Sequence, residues 1–323
     1  MTTAPAPTLP TSVTVYEVGP RDGLQNEAGQ VPTEVKVEFV ERLLAAGLPV
    51  VEATSFVHPR WVPQLADAAE LLGLLEERIG DRARDLPVLV PNDRGLDRAL
   101  ELGCRHVAVF GSATETFAQR NLNRSYEEQF AMFEPTVRRA REAGMRVRGY
   151  LSMCFGDPWE GAVPVEQVVT AGRRLLDLGA SELSLGDTIG VGTAGQVGEL
   201  VAAFGAAGVG TDRLAMHFHD TYGQALANTY AALQAGITTF DASAGGLGGC
   251  PYAKSATGNL ATEDLLWLLR GLGISTAGEA GSGIGSGTGV DLDAVVATSA
   301  WMARQLGRPS PSAVVRALAG SGS

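Results

Sequence analysis

Two histidines separated by a single residue are the feature of this sequence that most clearly suggests chemistry. They are His217 and His219, in the stretch MHFHD. On a β-strand, residues two apart point to the same face, with their side chains roughly 6–7 Å apart along the chain. Two imidazoles so placed suit a shared metal ion. The pattern also fits a half-buried strand that carries two polar residues, so the surrounding elements must decide.

The elements that would position this pair recur along the chain. Helical stretches end in glycine, which supplies a left-handed C-cap, and short runs rich in Val, Ile, Leu or Phe follow. Such runs are typical of buried parallel strands. Strands are predicted at residues 13–18, 50–56, 88–90, 107–110, 147–152, 182–185, 214–218 and 239–242. Amphipathic helices are predicted between or after them, for example at 33–46, 126–143, 165–178, 225–235 and 292–306.

Eight strand–helix units over about 260 residues predict an α/β fold, a (β/α)8 TIM barrel over residues 13–273. A doubly wound open sheet is the alternative, but no G-x-G-x-x-G follows the first strand. Residues 1–12, rich in Pro, Thr and Ala, are expected to be a disordered tail. Residues 274–289 are expected to be a Gly/Ser-rich linker. Residues 290–323 would add a C-terminal helix and a tail.

Charge and composition exclude several classes of partner. The 323 residues carry a formal net charge of −11, which disfavours nucleic acid and anionic membranes. No apolar run approaches the ~18 residues needed to span a bilayer. Three scattered cysteines argue against a disulfide framework and for a reducing compartment. The N-terminus resembles neither a secretion signal nor a transit peptide, so we expect a cytoplasmic location.

Polar residues collect at the predicted mouth of the barrel, where the C-terminal ends of the strands meet and active sites form. Asp22 follows strand one, the two histidines end strand seven, and Asn259 lies beyond strand eight. Together they would make a site of oxygen and nitrogen ligands. Such a set suits a divalent cation with open positions, Mg²⁺ or Mn²⁺, more than a closed zinc site. A cation of this kind can bind and polarise a substrate oxygen.

Four strings at these strand ends resemble those of 3-hydroxy-3-methylglutaryl-CoA lyases. They are EVGPRDGLQNE at 17–27, SLGDTIGVG at 184–192, HFHDTYGQALAN at 217–228 and GLGGCPYAKSATGN at 246–259. The likeness covers about residues 13–273. It implies a carbon–carbon lyase that cleaves 3-hydroxy-3-methylglutaryl-CoA (HMG-CoA) to acetyl-CoA and acetoacetate, as in leucine catabolism and ketone-body formation.

The resemblance and the chemistry together imply roles for single residues. Asp22, His217, His219 and Asn259 would hold the metal, and either His217 or Asp22 would take the substrate hydroxyl proton. Arg21 would stabilise charge on the thioester oxygen. Cys250 would give a proton to C2, and Glu52 would orient ligands and water. The residues expected to bind substrate are Arg21, Gln25, Tyr150, Ser184, Asp187, Thr188 and Glu263.

The three cysteines have different expected roles. Cys250 follows a glycine-rich stretch that would let its loop close over the substrate and exclude water, although a plain turn after strand eight is the alternative. Cys104 begins a predicted strand and is expected in the core. Cys154 lies nearer the predicted mouth. The glycines before Cys250 are Gly245, Gly246, Gly248 and Gly249.

Other functions remain open on the sequence alone. A Claisen-type synthase or aldolase of the same superfamily would share the Arg-Asp and histidine pairs, but would lack the loop that carries Cys250. A lyase for a longer branched 3-hydroxyglutaryl-CoA is a further alternative. An inactive barrel that only binds a partner is disfavoured, because each expected reactive position is filled. A Schiff-base aldolase is disfavoured by Lys36 and Lys254, which are not predicted at strand ends. The expected partners are an acyl-CoA substrate and a second copy of the chain, as a homodimer or larger homo-oligomer.

Overall fold

The computed structural model describes residues 9–249, 258–276 and 289–319. Its strands are Thr14–Glu17 (β1), Val50–Val51 (β2), Thr54–Ser55 (β3), Val88–Leu89 (β4), His106–Ser112 (β5), Arg146–Ser152 (β6), Gly156–Asp157 (β7), Gly161–Ala162 (β8), Glu182–Asp187 (β9), Leu214–Phe218 (β10) and Thr239–Ala242 (β11). Its α-helices are Thr33–Ala45 (α1), Ala68–Ile79 (α2), Asp93–Glu101 (α3), Glu115–Leu122 (α4), Tyr126–Glu142 (α5), Val165–Leu178 (α6), Ala194–Ala206 (α7), Ala225–Gln234 (α8), Thr262–Gly271 (α9), Leu292–Gln305 (α10) and Ala313–Ala319 (α11). Within the described ranges, no helix has the length and apolar character needed to cross a membrane.

The parallel strands close into a barrel. Their order is β2-β1-β11-β10-β9-β6-β5-β4-β3, and the two end strands belong to one extended segment. In that segment the Glu52 N–H donates to the Glu17 carbonyl at 2.8 Å, and the Ala53 N–H donates to the Pro87 carbonyl at 3.0 Å. One segment therefore bonds both edges of the sheet. The predicted (β/α)8 barrel is confirmed, but its second strand is two short pieces, because β2 pairs with β1 and β3 pairs with β4.

The predicted C-cap glycines are present at the helix ends. The predicted helices begin where expected and end within one residue of the prediction. The glycine after each has the left-handed backbone that a side chain would strain. Positive φ angles occur at Gly47, Gly103, Gly144, Gly179, Gly208 and Gly236.

Alternate residues of the strands lie in two environments. In β6, Val147 and Leu151 pack into the main core between strands and helices. Arg148 lies on the opposite face, where its guanidinium carbon is 3.7 Å from the Tyr16 ring centroid and Nη2 is 2.7 Å from Asp241. The inside of the barrel thus contains buried charge, which the alternating strand pattern brings close to the mouth.

The C-terminal helices cover the outside of the barrel. Trp301 of α10 packs on Phe39 of α1, with ring centroids 6.4 Å apart, and Arg42 lies over the Trp301 ring at 4.7 Å. A second C-terminal helix, α11, was not predicted from the sequence. That helix starts where Asp264 accepts hydrogen bonds from the Ser312 hydroxyl and two N–H groups, which supplies a side-chain cap from a neighbouring helix.

The predicted disordered tail at 1–12 is too long at its C-terminal end. The Ser275 N–H donates to the Thr11 carbonyl at 3.0 Å, and the Val13 N–H donates to the Ser275 carbonyl at 2.9 Å. Residues 11–12 are therefore bonded to the segment that follows α9. The expected Gly/Ser-rich linker lies largely outside the described residues, at 277–288.

Candidate active site

Arg21 and Asp22 lie in one turn of π-helix, Gly19–Gly23, directly after β1. The Asp22 N–H donates to the Val18 carbonyl at 2.8 Å. Single π-type turns are frequent at functional sites. Arg21 donates from Nη1 to Asp22 Oδ1 at 2.6 Å and from Nε to Glu52 Oε2 at 2.8 Å. The turn therefore presents a fixed cation and a fixed carboxylate at the barrel mouth.

Glu52 and Tyr150 hold Arg21 in place. Glu52 is fully buried, and its Oε2 also accepts the Tyr150 hydroxyl at 3.0 Å. The Arg21 guanidinium lies 5.1 Å from the Tyr150 ring centroid. Burial raises the pKa of Glu52, although Arg21 opposes the rise. Its Oε1 has no hydrogen-bond partner in the described part of the chain, so one carboxyl oxygen is unused.

The two histidines lie together at the end of β10, with ring centroids 5.2 Å apart. His217 Nδ1 is 3.2 Å from Asp241 Oδ2. Burial lowers the pKa of His219 to about 4, and the neighbouring His217 contributes to the decrease. His219 is therefore a neutral imidazole, the form that binds metals. Among the described residues its Nδ1 has no hydrogen-bond partner.

Asp22 joins the histidines in one cluster. One ligand atom each from Asp22, His217 and His219 lies within 4.8 Å of the others. Burial alone would raise the pKa of Asp22, but Arg21 and His217 outweigh it and lower the value to about 2. The carboxylate is therefore ionised. An ionised carboxylate and two imidazoles are a donor set that divalent metal ions accept.

Asn259 reaches the same cluster from the described segment that begins at Gly258. It forms an isolated antiparallel bridge with His219, and the Leu260 N–H donates to the Phe218 carbonyl at 2.9 Å. Asn259 Nδ2 donates to Asp22 Oδ2 at 2.8 Å. Its Oδ1 is buried and has no hydrogen-bond partner in ranges 9–249, 258–276 and 289–319.

Two unpaired atoms in one buried cluster fit a bound cation. Buried polar atoms in proteins are nearly always hydrogen-bonded, and an unpaired one costs about 1–3 kcal/mol. Asn259 Oδ1 offers a lone pair, and so does His219 Nδ1 when the ring proton is on Nε2, so a metal ion would satisfy both. Together with Asp22 and His217 they make the mixed oxygen and nitrogen set that the sequence predicts. The side chains present therefore fit a divalent metal ion.

Three other predicted substrate-binding residues lie near the mouth with different tasks. The Ser184 hydroxyl donates to Asp241 Oδ2 at 2.7 Å. Thr188 Oγ1 accepts the Met153 N–H at 2.8 Å and so ties the loop after β9 to the one after β6. Gln25 is half-exposed just beyond the π-type turn.

Asp187 and Glu263 accept hydrogen bonds from backbone N–H groups in loops. Asp187 accepts the Gly192 N–H at 3.1 and 3.0 Å, and burial raises its pKa to about 6. Glu263 accepts the Gly245 N–H at 2.9 and 3.1 Å, and burial raises its pKa to about 8. In the described structure neither is hydrogen-bonded to a candidate metal ligand. Both carboxylates hold loops that frame the mouth, and their expected contact with substrate stays a prediction.

Glu17 is a site residue that the sequence analysis missed. Its Oε1 accepts the N–H groups of Gly19 and Ala244 at 2.8 and 2.9 Å, and its Oε2 accepts the Thr262 hydroxyl at 2.6 Å. Burial raises its pKa to about 7. Glu17 thus joins the turn that carries Arg21 to the loop after β11. The feature of the sequence that could have identified Glu17 is a carboxylate at the end of an otherwise apolar strand.

The cysteines divide as follows. Cys250 lies outside the described residues, so its role and the closure of its loop stay predictions. Cys104 is buried in the core, as expected. Cys154 is also buried, with Sγ 3.1 Å from the Leu151 carbonyl oxygen, and burial raises its thiol pKa far above the usual range. Cys154 is therefore a protonated structural thiol.

Comparisons with known proteins agree with this geometry. The HMGL-like family model matches residues 12–300. The mitochondrial hydroxymethylglutaryl-CoA lyase of Bos taurus is 46% identical over 98% of this chain and 93% of its own length. A 3-hydroxy-3-isohexenylglutaryl-CoA/hydroxy-methylglutaryl-CoA lyase of Pseudomonas aeruginosa is 47% identical, covering 96% of this chain and 98% of its own.

A solved structure gives the same result for the fold. The crystal structure of hydroxymethylglutaryl-CoA lyase from Pseudomonas aeruginosa superposes with a TM-score of 0.89 and 47% sequence identity. The match covers 97% of this chain and 99% of that one. Sequence and fold thus agree with these relatives along nearly the whole chain. The chain therefore belongs to the HMGL-like family and, within it, to the hydroxymethylglutaryl-CoA lyases, which are carbon–carbon lyases.

Proposed function

We propose that this chain cleaves HMG-CoA to acetyl-CoA and acetoacetate at the barrel mouth, with Mg²⁺ or Mn²⁺ held by Asp22, His217, His219 and Asn259. The observation that carries the proposal is the cluster of three ligand atoms within 4.8 Å, where His219 Nδ1 and the nearby Asn259 Oδ1 have no hydrogen-bond partner among the described residues. When bound, a divalent cation with open positions polarises a substrate hydroxyl and lowers its pKa.

The reaction sets three tasks for the protein. The C3 hydroxyl loses a proton, the C2–C3 bond breaks, and C3 becomes the ketone of acetoacetate. The electron pair of the broken bond moves to C2 and the thioester oxygen, as the enolate of acetyl-CoA. A proton then returns to C2 and completes the methyl group. A base, an anion stabiliser and an acid are therefore needed near one another.

Arg21 is the anion stabiliser in this proposal. Its Nε and Nη1 are used by Glu52 and Asp22, which fixes the plane of the guanidinium. Nη2 is left for the thioester oxygen, where negative charge develops. A donor fixed before the reaction starts requires no reorganisation, which makes it effective in the transition state. Glu52 and Tyr150 act by positioning this group.

Two groups are placed to accept the hydroxyl proton. The Asp22 carboxylate and His217 both belong to the cluster that would hold the hydroxyl. Asp22 loses basicity to Arg21, whereas His217 gains it from Asp241. With Nδ1 facing Asp241, His217 can take the substrate proton only at Nε2, the atom that would otherwise bind the metal, so His217 cannot be ligand and base at the same time. Replacement of His217 by Asn, which keeps a neutral ligand but removes a base, distinguishes the two: a loss of kcat with Mn²⁺ still bound assigns the base to His217.

Cys250 is the proposed proton donor to C2, on the strength of the resemblance. The described loop ends one residue before it, where the Gly249 carbonyl accepts from Asn26 Nδ2 at 3.4 Å. Glu17 and Glu263 anchor the start of this loop at Ala244 and Gly245. The last described residue before Cys250 thus lies beside Asn26, which follows the turn that carries Arg21.

A direct assay tests the function. Purified protein is incubated with HMG-CoA and Mg²⁺, and acetoacetate is measured, with EDTA in a parallel sample. We expect product that disappears on chelation and returns with added Mg²⁺ or Mn²⁺. His219→Ala should be inactive, whereas the matched control His58→Ala, at an exposed position, should match wild type. Folded wild-type protein that yields no acetoacetate would remove the proposal.

The acyl chain accepted is a separate question. The Pseudomonas aeruginosa relative is named for both an isohexenyl and a methyl substrate. The same assay run with both substrates gives two kcat/KM values. We propose the methyl substrate as the preferred one, and a larger kcat/KM for the isohexenyl compound would assign the chain to the longer branched substrate instead. A 2-oxo acid condensing with acetyl-CoA in the reverse assay would point to a synthase.

A further inference from the structure

A carboxylate that takes no direct part in the proposed chemistry lies directly behind His217. Asp241 is in β11, its side chain is fully buried, and the sheet register places it beside His217 of β10. We propose that Asp241 is a positioning residue that holds the His217 ring with the proton on Nδ1, so that Nε2 keeps its lone pair for a metal ion. This inference rests on the proposed metal site and deepens it.

Three donors from three strands fix the Asp241 carboxylate. Arg148 of β6 donates from Nη2 to Oδ1 at 2.7 Å, and the Ser184 hydroxyl of β9 donates to Oδ2 at 2.7 Å. His217 Nδ1 completes the set at 3.2 Å. An ionised carboxylate beside a guanidinium can only accept hydrogen bonds. His217 must therefore donate from Nδ1, and this hydrogen bond assigns the tautomer.

Arg148 is itself held on several sides. Its Nε is 3.0 Å from Glu182 Oε1, and its guanidinium lies over the Tyr16 and Tyr150 rings at 3.7 and 5.1 Å. These contacts restrict the cation to one position, and through it they restrict Asp241. A line of contacts from Glu182 through Arg148 and Asp241 thus ends on His217, inside the barrel.

The arrangement has a consequence for metal binding. A carboxylate behind a ligating imidazole orients the ring and increases the basicity of its other nitrogen, and loss of such a partner typically weakens metal affinity by about 10–100-fold. Asp241 cannot readily serve as a ligand, because Arg148 occupies Oδ1 and Ser184 and His217 share Oδ2. The same contacts give Ser184 a role in fixing Asp241, beside its predicted contact with substrate.

Asp241→Asn tests the inference with almost no change in shape. Turned toward Arg148, the new amide nitrogen would face another donor. Turned toward His217, it donates to Nδ1 and moves the ring proton to Nε2, where the metal should bind. We expect the Mn²⁺ Kd from calorimetry to rise about 10–100-fold. In ¹H–¹⁵N histidine spectra of the metal-free protein, His217 should carry its proton on Nδ1 in wild type and on Nε2 in the variant.

A matched control is available in Asp157, a second buried aspartate. It accepts the Thr114 hydroxyl at 2.6 Å and bonds none of the four candidate ligands in the described structure. Asp157→Asn should leave the Mn²⁺ Kd and the His217 spectrum unchanged. Ser184→Ala, which keeps the Arg148–Asp241 pair, should weaken Mn²⁺ binding by roughly two- to fivefold through one lost hydrogen bond.

Two results would overturn the inference. One is wild-type Mn²⁺ affinity in both Asp241→Asn and Ser184→Ala. The other is a lower Tm in Asp241→Asn with an unchanged tautomer and unchanged affinity in the folded protein, which describes a purely structural residue. The spectra need neither metal nor substrate. A wild-type protein that binds Mn²⁺ but does not cleave HMG-CoA would therefore defeat the proposed function alone.

Discussion

Two of the buried cations that pair with carboxylates, Lys36 and Arg21, differ in what their pairs leave without a hydrogen-bond partner. Lys36 of α1 lies outside the barrel, where its ammonium donates to both oxygens of Asp67 at 2.9 Å and to the Gln64 carbonyl. All three of its hydrogens have acceptors. Arg21 lies at the mouth and pairs with Glu52, yet Glu52 Oε1 has no partner within the described residues.

The difference separates a pair that stabilises the fold from one that serves a reaction. A buried ion pair whose groups are all satisfied holds one conformation. A cluster with unused donors and acceptors is unfavourable until something binds. Within the part of the chain that is described, His219 and Asn259 add two more atoms without a partner beside Arg21. On this basis, mutation of Lys36 should affect stability, and mutation at the mouth should affect catalysis.

The largest expected effect is that of Arg21→Met. The change removes the donor for the thioester oxygen, so kcat should fall about 10²–10³-fold, as for the loss of an oxyanion donor. Steady-state kinetics with HMG-CoA, on protein whose folded fraction is checked by circular dichroism, measure this. A decrease below tenfold would mean that Arg21 does not contact the developing charge.

Lys36→Met should give the opposite result. It leaves the Gln64 carbonyl and the Asp67 carboxylate without their buried cation, so the free energy of unfolding should fall by about 2–3 kcal/mol. Urea unfolding measures this value. The kcat per folded molecule should equal that of wild type, and a change in kcat without a loss of stability would reverse the roles of the two pairs.

A smaller effect is expected from a glycine that packs closely against the mouth cluster. A Cβ at Gly248 would lie 2.6 Å from Asn259 Nδ2, on a backbone with φ of +112°. Gly248→Ala should therefore displace Asn259 and weaken Mn²⁺ binding about tenfold, in line with a disturbed ligand. Gly249→Ala is the matched control, since a Cβ there meets nothing within 4 Å. Equal Mn²⁺ Kd values for the two variants would count against Asn259 as a ligand.

The smallest effect belongs to an exposed pair. Arg138 and Glu142 lie one helical turn apart with a 4.0 Å separation, and both side chains are about two-thirds exposed. Arg138→Gln should change the free energy of unfolding by less than about 0.5 kcal/mol. A larger change in the free energy of unfolding would show that surface charge contributes more to stability than the comparison of Lys36 with Arg21 suggests.

Much of this fold was predictable because its signals are local. Apolar runs and glycine C-caps repeat along the chain and mark the barrel, and the spacing of His217 and His219 places both on one face of β10. Membership of a barrel then brings Asp22 and Asn259 to the same mouth, because all strands end there. The candidate metal ligands therefore follow from sequence.

Glu52 was predicted to have a supporting role, but the contacts of Asp241, Arg148 and Glu17 could not be predicted, because their partners are distant in sequence. Asp241 and Arg148 are 93 positions apart and meet only across the barrel interior. Glu17 bonds Thr262, 245 positions away. The break between β2 and β3 depends on which neighbour each half pairs with. Single-sequence patterns show that a charge lies in a buried strand, but not which group satisfies it.

Mn²⁺ titration tests directly whether Asp22, His217, His219 and Asn259 form a divalent cation site. Wild type and His219→Ala are titrated by calorimetry at equal protein concentration, with His58→Ala as control. We expect one Mn²⁺ per chain for wild type and His58→Ala, and at least tenfold weaker binding for His219→Ala. Equal Mn²⁺ affinity in wild type and His219→Ala would contradict it.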